Sequence, residues 1–303
     1  MTAPVLHAPP GSAAPRASPR LVLVAVAVTV LAWASAFVAI RGVKDTFQPG
    51  SLALGRLLVG SVALSVAVAA TGTWVRPTRR ELQLLVLCGV AWFAGYNVAL
   101  NAAEQRVDAG TAAMLVSLGP VLIALLAGRL LGEGYPRWLL IGAGVAFLGA
   151  VLIAAATAGA DGSDVVGVLL CLLAALGWAV GVLAQKPVLR RLPALQVTAI
   201  ACIVGAITCL PFAGQLTGDM RRASGGAVAG LVYLGLVPTA VAFGTWAYAL
   251  SRMDAGRLAV TTYLVPPLTI LLAWPVLGET PRPLALLGGV VALSGVLISR
   301  RKA

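Results

Sequence analysis

Arg56 falls a few residues into an otherwise apolar stretch, SLALGRLLVGSVALSVAVAAT (51–71). A charge at membrane depth costs about 2.5–3.5 kcal/mol on insertion scales, so it must face protein or a water-filled cavity. Two readings fit. The guanidinium is a structural anchor on backbone carbonyls, or it is a cation that meets an anionic group of a bound molecule. Other polar side chains share its setting: Tyr96, Asn97, Ser117, Gln185, Thr239 beside Pro238, and Tyr263. Each is a candidate to line a cavity, and each could equally bond a neighbouring helix. Trp33 and Trp178 fall in the middle of apolar runs, away from the interfaces where tryptophan collects. An indole N–H there needs an acceptor, so packing and cavity lining both stay open. Pro120 and Pro266 (with Pro267 adjacent) sit inside long apolar runs, where a proline removes a hydrogen bond and kinks the helix. Paired kinks suit gating elements, and they also suit static bends.

This set binds; it does not react. There is no HExxH, no Walker A loop and no Ser, His and Asp set at membrane depth, so no enzyme is expected. Cys88, Cys171, Cys202 and Cys209 lie in apolar runs without a CxxC, and the single histidine, His7, is in the N-terminal tail. They read as packing residues, with no metal and no cofactor implied. The net charge of +12 is spread singly or in short clusters between apolar runs. It forms no basic helix with interleaved aromatics, so nucleic acid is not an expected partner.

The elements that carry these residues follow from composition. Of 303 residues, 60% are hydrophobic and only 11% charged, with mean hydropathy +0.97, against about 45–50% and about 25% in soluble domains. A soluble chain of this length still needs a polar exterior, whereas lipid removes that need. A bilayer core takes about 20 apolar residues per helix. Runs near that length cover 21–40, 51–71, 82–102, 109–131 and 138–157, then 165–184, 195–213, 226–250, 255–277 and 283–299. The fold class is therefore all-α integral membrane, with ten transmembrane helices. Barrel strands would alternate over about ten residues instead.

Residues 1–20, rich in Pro, Ala and Ser, read as a disordered cytoplasmic tail. Arg16, Arg20 and the ASA at 34–36 have the outline of a cleavable signal. The first span has a counterpart in the second half that follows no N-terminus, which argues against cleavage. With the N-terminus cytoplasmic, the loops divide 15 Lys and Arg inside against 6 outside, Arg56 excepted. The midpoint connector, 158–164 (AGADGSD), has two acids and no base and belongs outside. Five helices (21–157) precede it and five (165–299) follow, and the basic tail 300–303 returns to the cytoplasm.

The halves repeat. At an offset of 146, Asp108-Ala109-Gly110 falls on Asp254-Ala255-Gly256, Pro120 on Pro266, and Leu131-Gly132-Glu133 on Leu277-Gly278-Glu279. Gly142 and Gly149 fall on Gly288 and Gly295, small residues on one helix face that permit close packing. Farther upstream the offset is 145, which pairs Trp33 with Trp178. Asp108 and Asp254 open helices and should cap them. An odd number of spans per repeat inserts the copies in opposite senses, so two inverted five-helix repeats would enclose a site at their interface.

On these motifs the chain resembles the EamA-type branch of the drug/metabolite transporter superfamily, over residues 21–299. The carriers are LAWASAFVAIRGV, PGSLALGRLLVGS with Arg56, YNVALNAAEQRVDAGTAAMLVSLGPVLIALLAGRLLGE, VPTAVAFGTWAYALSRMDAG and YLVPPLTILLAWPVLGE. The resemblance implies a ten-helix inner-membrane carrier, mostly an exporter of amino acids, metabolites or drugs. The expected partners are a small-molecule substrate, membrane lipid and, where export is coupled, a counter-transported proton. No Asp, Glu or His lies mid-span, so a span-end carboxylate, the substrate's own charge and uncoupled diffusion all stay open. An importer is the nearest alternative; a scaffold or an integral-membrane enzyme is the next.

Overall fold

The computed structural model describes residues 19–130, 134–135, 137–158, 165–278, 283–299 and 301. The expectations for the N-terminal tail, the 131–133 motif, the connector 159–164 and Glu279 lie outside those residues. Within them the chain is helical and contains no strand: α1 (Pro19–Val43), α2 (Pro49–Thr71), α3 (Arg79–Ala103), α4 (Ala109–Leu130), α5 (Arg137–Ala158), α6 (Val165–Val188), α7 (Ala194–Thr208), α8 (Leu210–Arg222), α9 (Gly225–Leu250), α10 (Ala255–Leu277) and α11 (Pro283–Ser299). Among the described residues seven helices are long and apolar enough to cross a membrane, or up to eight if the bent pair α7–α8 is one span. Shorter apolar segments lie in α5 (Arg137–Gly149) and α11 (Leu286–Gly295). Outward Leu23, Val62, Leu169 and Leu297 are exposed, as a lipid-facing surface requires.

Helix starts follow local chemistry. Thr78 and Glu81 form a reciprocal capping box at α3, and Ser224 caps α9. Asp108 caps α4, accepting from the Thr111 N–H at 2.8 Å and the Thr111 hydroxyl at 2.6 Å. Asp254 differs from expectation. Its side chain makes no cap bond and instead lies 3.5 Å from Arg257. The 195–213 span also differs, because α7 and α8 are bent by 51°. Pro211 has no N–H to donate and disfavours helical geometry at the residue before it, and the chain tightens to a 3-10 turn over Leu210–Phe212. Asp219 of α8 then accepts from the Gln48 N–H at 3.0 Å and from Ser51, which ties α8 to the start of α2.

Two helices change pitch in mid-course. α3 widens to π geometry over Gly89–Tyr96 and α9 over Gly235–Val241, positions 146 apart. Such insertions in α-helices are rare and occur mostly at functional sites. In α9 the cause is local. Pro238 has no N–H for the Leu234 carbonyl, and the Thr239 hydroxyl donates to it at 2.8 Å. In α3 the Asn97 side-chain amide donates to the Phe93 carbonyl at 2.6 Å while its backbone N–H turns to Ala94.

Glycines let each π segment close on the other half. A β-carbon at Gly89 would lie 2.7 Å from the Ala201 carbonyl oxygen in α7, and one at Gly235 would lie 2.9 Å from the Arg56 carbonyl oxygen in α2. Real β-carbons do not approach so closely. At the other end of these helices, Arg41 donates to the Glu104 carbonyl, and Lys186 donates to the Leu250 and Met253 carbonyls at 2.6 Å. The expected small-residue face also packs tightly. A β-carbon at Gly295 of α11 would stand 2.5 Å from the Gly142 carbonyl oxygen and the Ala146 nitrogen of α5.

Candidate functional site

Six aromatic rings meet where α1, α3, α6 and α9 converge. The centroid of Trp33 lies 5.0 Å from Trp246, 5.7 Å from Phe243, 5.8 Å from Trp178 and 6.2 Å from Trp92. Phe243 continues the cluster to Trp92 at 4.8 Å and Phe93 at 4.4 Å. Each such pair contributes about 0.5–1.5 kcal/mol beyond its area burial. The π segment of α3 carries Trp92 and Phe93, and Phe243 and Trp246 follow the π segment of α9. Two close approaches seat the rings. A β-carbon at Gly181 would lie 2.3 Å from Trp92 Cβ, and one at Gly119 would lie 2.4 Å from the benzo edge of Trp178.

Beside the rings is a cavity with about 530 Å³ of space between atoms. Only about 30 Å³ of it is open to the centre of a water-sized sphere, room for about two waters at ~10–15 Å³ each. Trp33, Arg56, Tyr96, Ser117 and Trp178 all line it, joined by Trp92, Phe243, Thr262 and apolar side chains such as Phe37 and Val265. Both halves of the chain therefore contribute. Arg56 is buried, and its Nε–H donates to the Thr239 hydroxyl at 3.1 Å. That hydroxyl donates in turn to the Leu234 carbonyl, so the π segment of α9 fixes the guanidinium. Ser117 and Thr262 donate to the Ala113 and Ala259 carbonyls at 2.8 and 2.6 Å, which leaves oxygen lone pairs for the cavity.

The other four candidates do not line this cavity. Thr239 holds Arg56 from behind, and Asn97 is buried on the Phe93 carbonyl. Gln185 is fully buried, and neither its amide oxygen nor its nitrogen has a hydrogen-bond partner among the described residues. Tyr263 lines a second, apolar hollow with Pro266, Pro267 and Leu293, and Ser117 borders both. The kinks are local breaks. α4 is interrupted at Ser117–Leu118, just before Pro120, and α10 tightens to 3-10 geometry over Thr262–Leu264, just before Pro266. Ser117, Thr262 and Val265 bring both breaks to the cavity wall.

Sequence reasoning missed Trp92, Phe243 and Trp246. Trp92 lies mid-span, the same signal that singled out Trp33, whereas Trp246 lies near the end of α9. They have no aromatic counterpart at the repeat offset (Pro238 and Leu100 stand there), and so escaped the pairing argument.

Comparison with known proteins agrees with this architecture. One similar chain, from Streptantibioticus cattleyicolor, is a "Probable terminal-alkyne amino-acid exporter", 38% identical over 92% of this chain and 93% of that one. The transporter YdfC of Bacillus subtilis is 34% identical over 89% of this chain and 88% of its own. A "Probable amino-acid metabolite efflux pump" of Salmonella typhimurium is 26% identical over 90% and 92%. A solved crystal structure, 22% identical, superposes with TM-score 0.69 over 93% of this chain and 98% of that one, which shows a shared fold. Residues 20–155 and 165–301 each match one family, and the protein belongs to it: the EamA-like transporter family.

Proposed function

We propose that this membrane protein is a secondary transporter that exports a small organic solute, an amino acid or a related metabolite, across the cytoplasmic membrane by alternating access. The observation that carries the reading is the central cavity, walled by Trp33 and Trp178 from the two halves and holding one buried cation, Arg56. Names of relatives such as the amino-acid exporter and the efflux pump support the outward direction. We read ten spans, α1–α7 and α9–α11, with α8 lying at the outer surface against the start of α2. Five spans per half make the two repeats inverted. The matched approaches of Gly89 to α7 and Gly235 to α2 support that relation.

In this reading the breaks before Pro120 and Pro266 are the gates, one for each side. The cavity is too narrow here for a solute, so a cycle must widen it by moving helices. Both termini are cytoplasmic and the connector at Gly162 is external; cysteine labelling that put Gly162 and Ala303 on one face would overturn the topology.

Flux tests the function. Purified protein in proteoliposomes, or everted vesicles, should move at least one solute from a panel of amino acids and small metabolites, saturably and dependent on protein. No movement of any of them would retire the reading. Substrate-dependent accumulation by intact cells expressing the protein would replace export with import.

A further inference from the structure

The cavity also carries information about which chemical group it receives. Among the described residues lining it, Arg56 is the one charged side chain, and no carboxylate or carboxamide is present. Trp178 lines the same space, is 4% exposed, and its indole N–H has no acceptor among the described residues. Its benzo edge is pressed on Gly119, which turns the N–H edge away from α4. A buried donor without an acceptor is costly. A buried guanidinium is rarer still, and Thr239 accounts for only its Nε–H. Glu104 lies within electrostatic reach of Arg56 but does not line the cavity. The lining thus offers a cation and an unpartnered donor around one cavity, with ring faces and apolar side chains beside them.

We infer that Arg56 and the Trp178 indole N–H receive the carboxylate of the transported solute, and that the indole and phenyl walls take an apolar tail of small cross-section. This rests on the transporter reading. A carboxylate supplies what both donors need, since a guanidinium forms charge-assisted bonds to it. An organic cation has no anionic group to meet and would face Arg56 at close range in a poorly solvated space. An ammonium on the solute is tolerated by ring faces and by the Ser117 and Thr262 lone pairs. It is not what anchors the molecule. The site therefore selects small carboxylates, amino acids among them, and rejects amines and esters of the same tail.

The rings supply an optical readout independent of flux, since Trp33, Trp92 and Trp178 line the cavity and Trp246 packs against Trp33. Detergent-purified full-length protein would be titrated with norvaline, pentanoate, norvaline methyl ester and butylamine, following tryptophan fluorescence and checking by calorimetry. Norvaline and pentanoate should bind within a few-fold of each other, and the ester and the amine about tenfold or more weaker. Arg56→Gln should weaken both acids about tenfold or more, with Arg56→Lys recovering part of the loss. Trp178→Phe, which keeps an aromatic ring and removes the N–H, guards against a misfolded arginine variant; it should weaken the acids about three- to tenfold. Equal binding of the amine or the ester, undiminished acid binding to Trp178→Phe, or no response to either acid would overturn the assignment. Acid binding without flux would sink the transporter reading and leave the assignment standing.

Discussion

Gly89 in the first half meets Val204 and the Ala201 carbonyl, and Gly235 in the second meets Val59 and the Arg56 carbonyl. Every residue in the first trio lies 145 or 146 positions from its counterpart in the second. The same holds for Arg41 on Glu104 and Lys186 on Leu250. Packing and helix ends are thus written twice. The side chains that face the cavity are not. Arg56 has Ala201 opposite it, Tyr96 has Ala242, and Ser117 has Tyr263. A repeated scaffold fixes where helices cross, and departures from the repeat furnish the interior. Trp33 and Trp178 are the exception, kept in both copies.

The largest effects should come from those two rings. Trp33→Ala and Trp178→Ala each remove a large aromatic side chain, partly buried at Trp33 and buried at Trp178, a loss worth about 3–5 kcal/mol for a buried ring. Trp33 touches four rings and Trp178 touches two, so the first loss should be the greater. Thermal midpoints in detergent would rank them, and membrane insertion, measured by fractionation, should change less than flux. Full transport by both variants would remove the rings from the pathway. Next comes Ala201→Arg, which copies the Arg56 charge into the half that lacks it. With no Thr239 equivalent (Phe93 stands at that position), it should destabilise by about 2.5–3.5 kcal/mol; a neutral outcome would mean the halves are not chemically distinct.

Gly89→Ala and Gly235→Ala should each cost about 1–3 kcal/mol, because a methyl group would collide with backbone oxygen across the interface. The two costs should agree within about 0.5 kcal/mol if the packing is equivalent; a strongly unequal pair would break the comparison. The smallest contrast lies at the helix starts. Asp108→Ala removes a two-bond cap and should cost about 1 kcal/mol. Asp254→Ala loses only an exposed pairing with Arg257 and should stay within about 0.5 kcal/mol. Equal costs would show that Asp254 caps in the membrane.

Much of this architecture was legible from residues. Apolar runs gave most of the helices within a few positions, and the Asp-Ala-Gly and proline matches gave an offset at which the two π segments and their glycine contacts also fall. The bend at Pro211 was not read, although proline is its local cause. The π segments left little trace in sequence: Pro238 explains one, and nothing comparable precedes the other. Because those segments set the rotation of α3 and α9, the faces on which Trp92, Phe243 and Thr239 point could not be counted from a regular period. Thr239 could therefore be read either as a cavity residue or as a bond to a neighbouring helix, and it is the acceptor for Arg56 of α2. Five of nine proposed lining residues do line the cavity, chiefly those identified by an unusual residue type at depth.

The space for two waters has a further consequence for the cell. A passage that stayed wide and wet would leak hydrated ions and dissipate the gradients across the membrane. A chamber this tight, walled by ring edges, strips a traveller of its hydration before admitting it. Small ions have too much to lose by entering, and a compact molecule with a greasy tail has little.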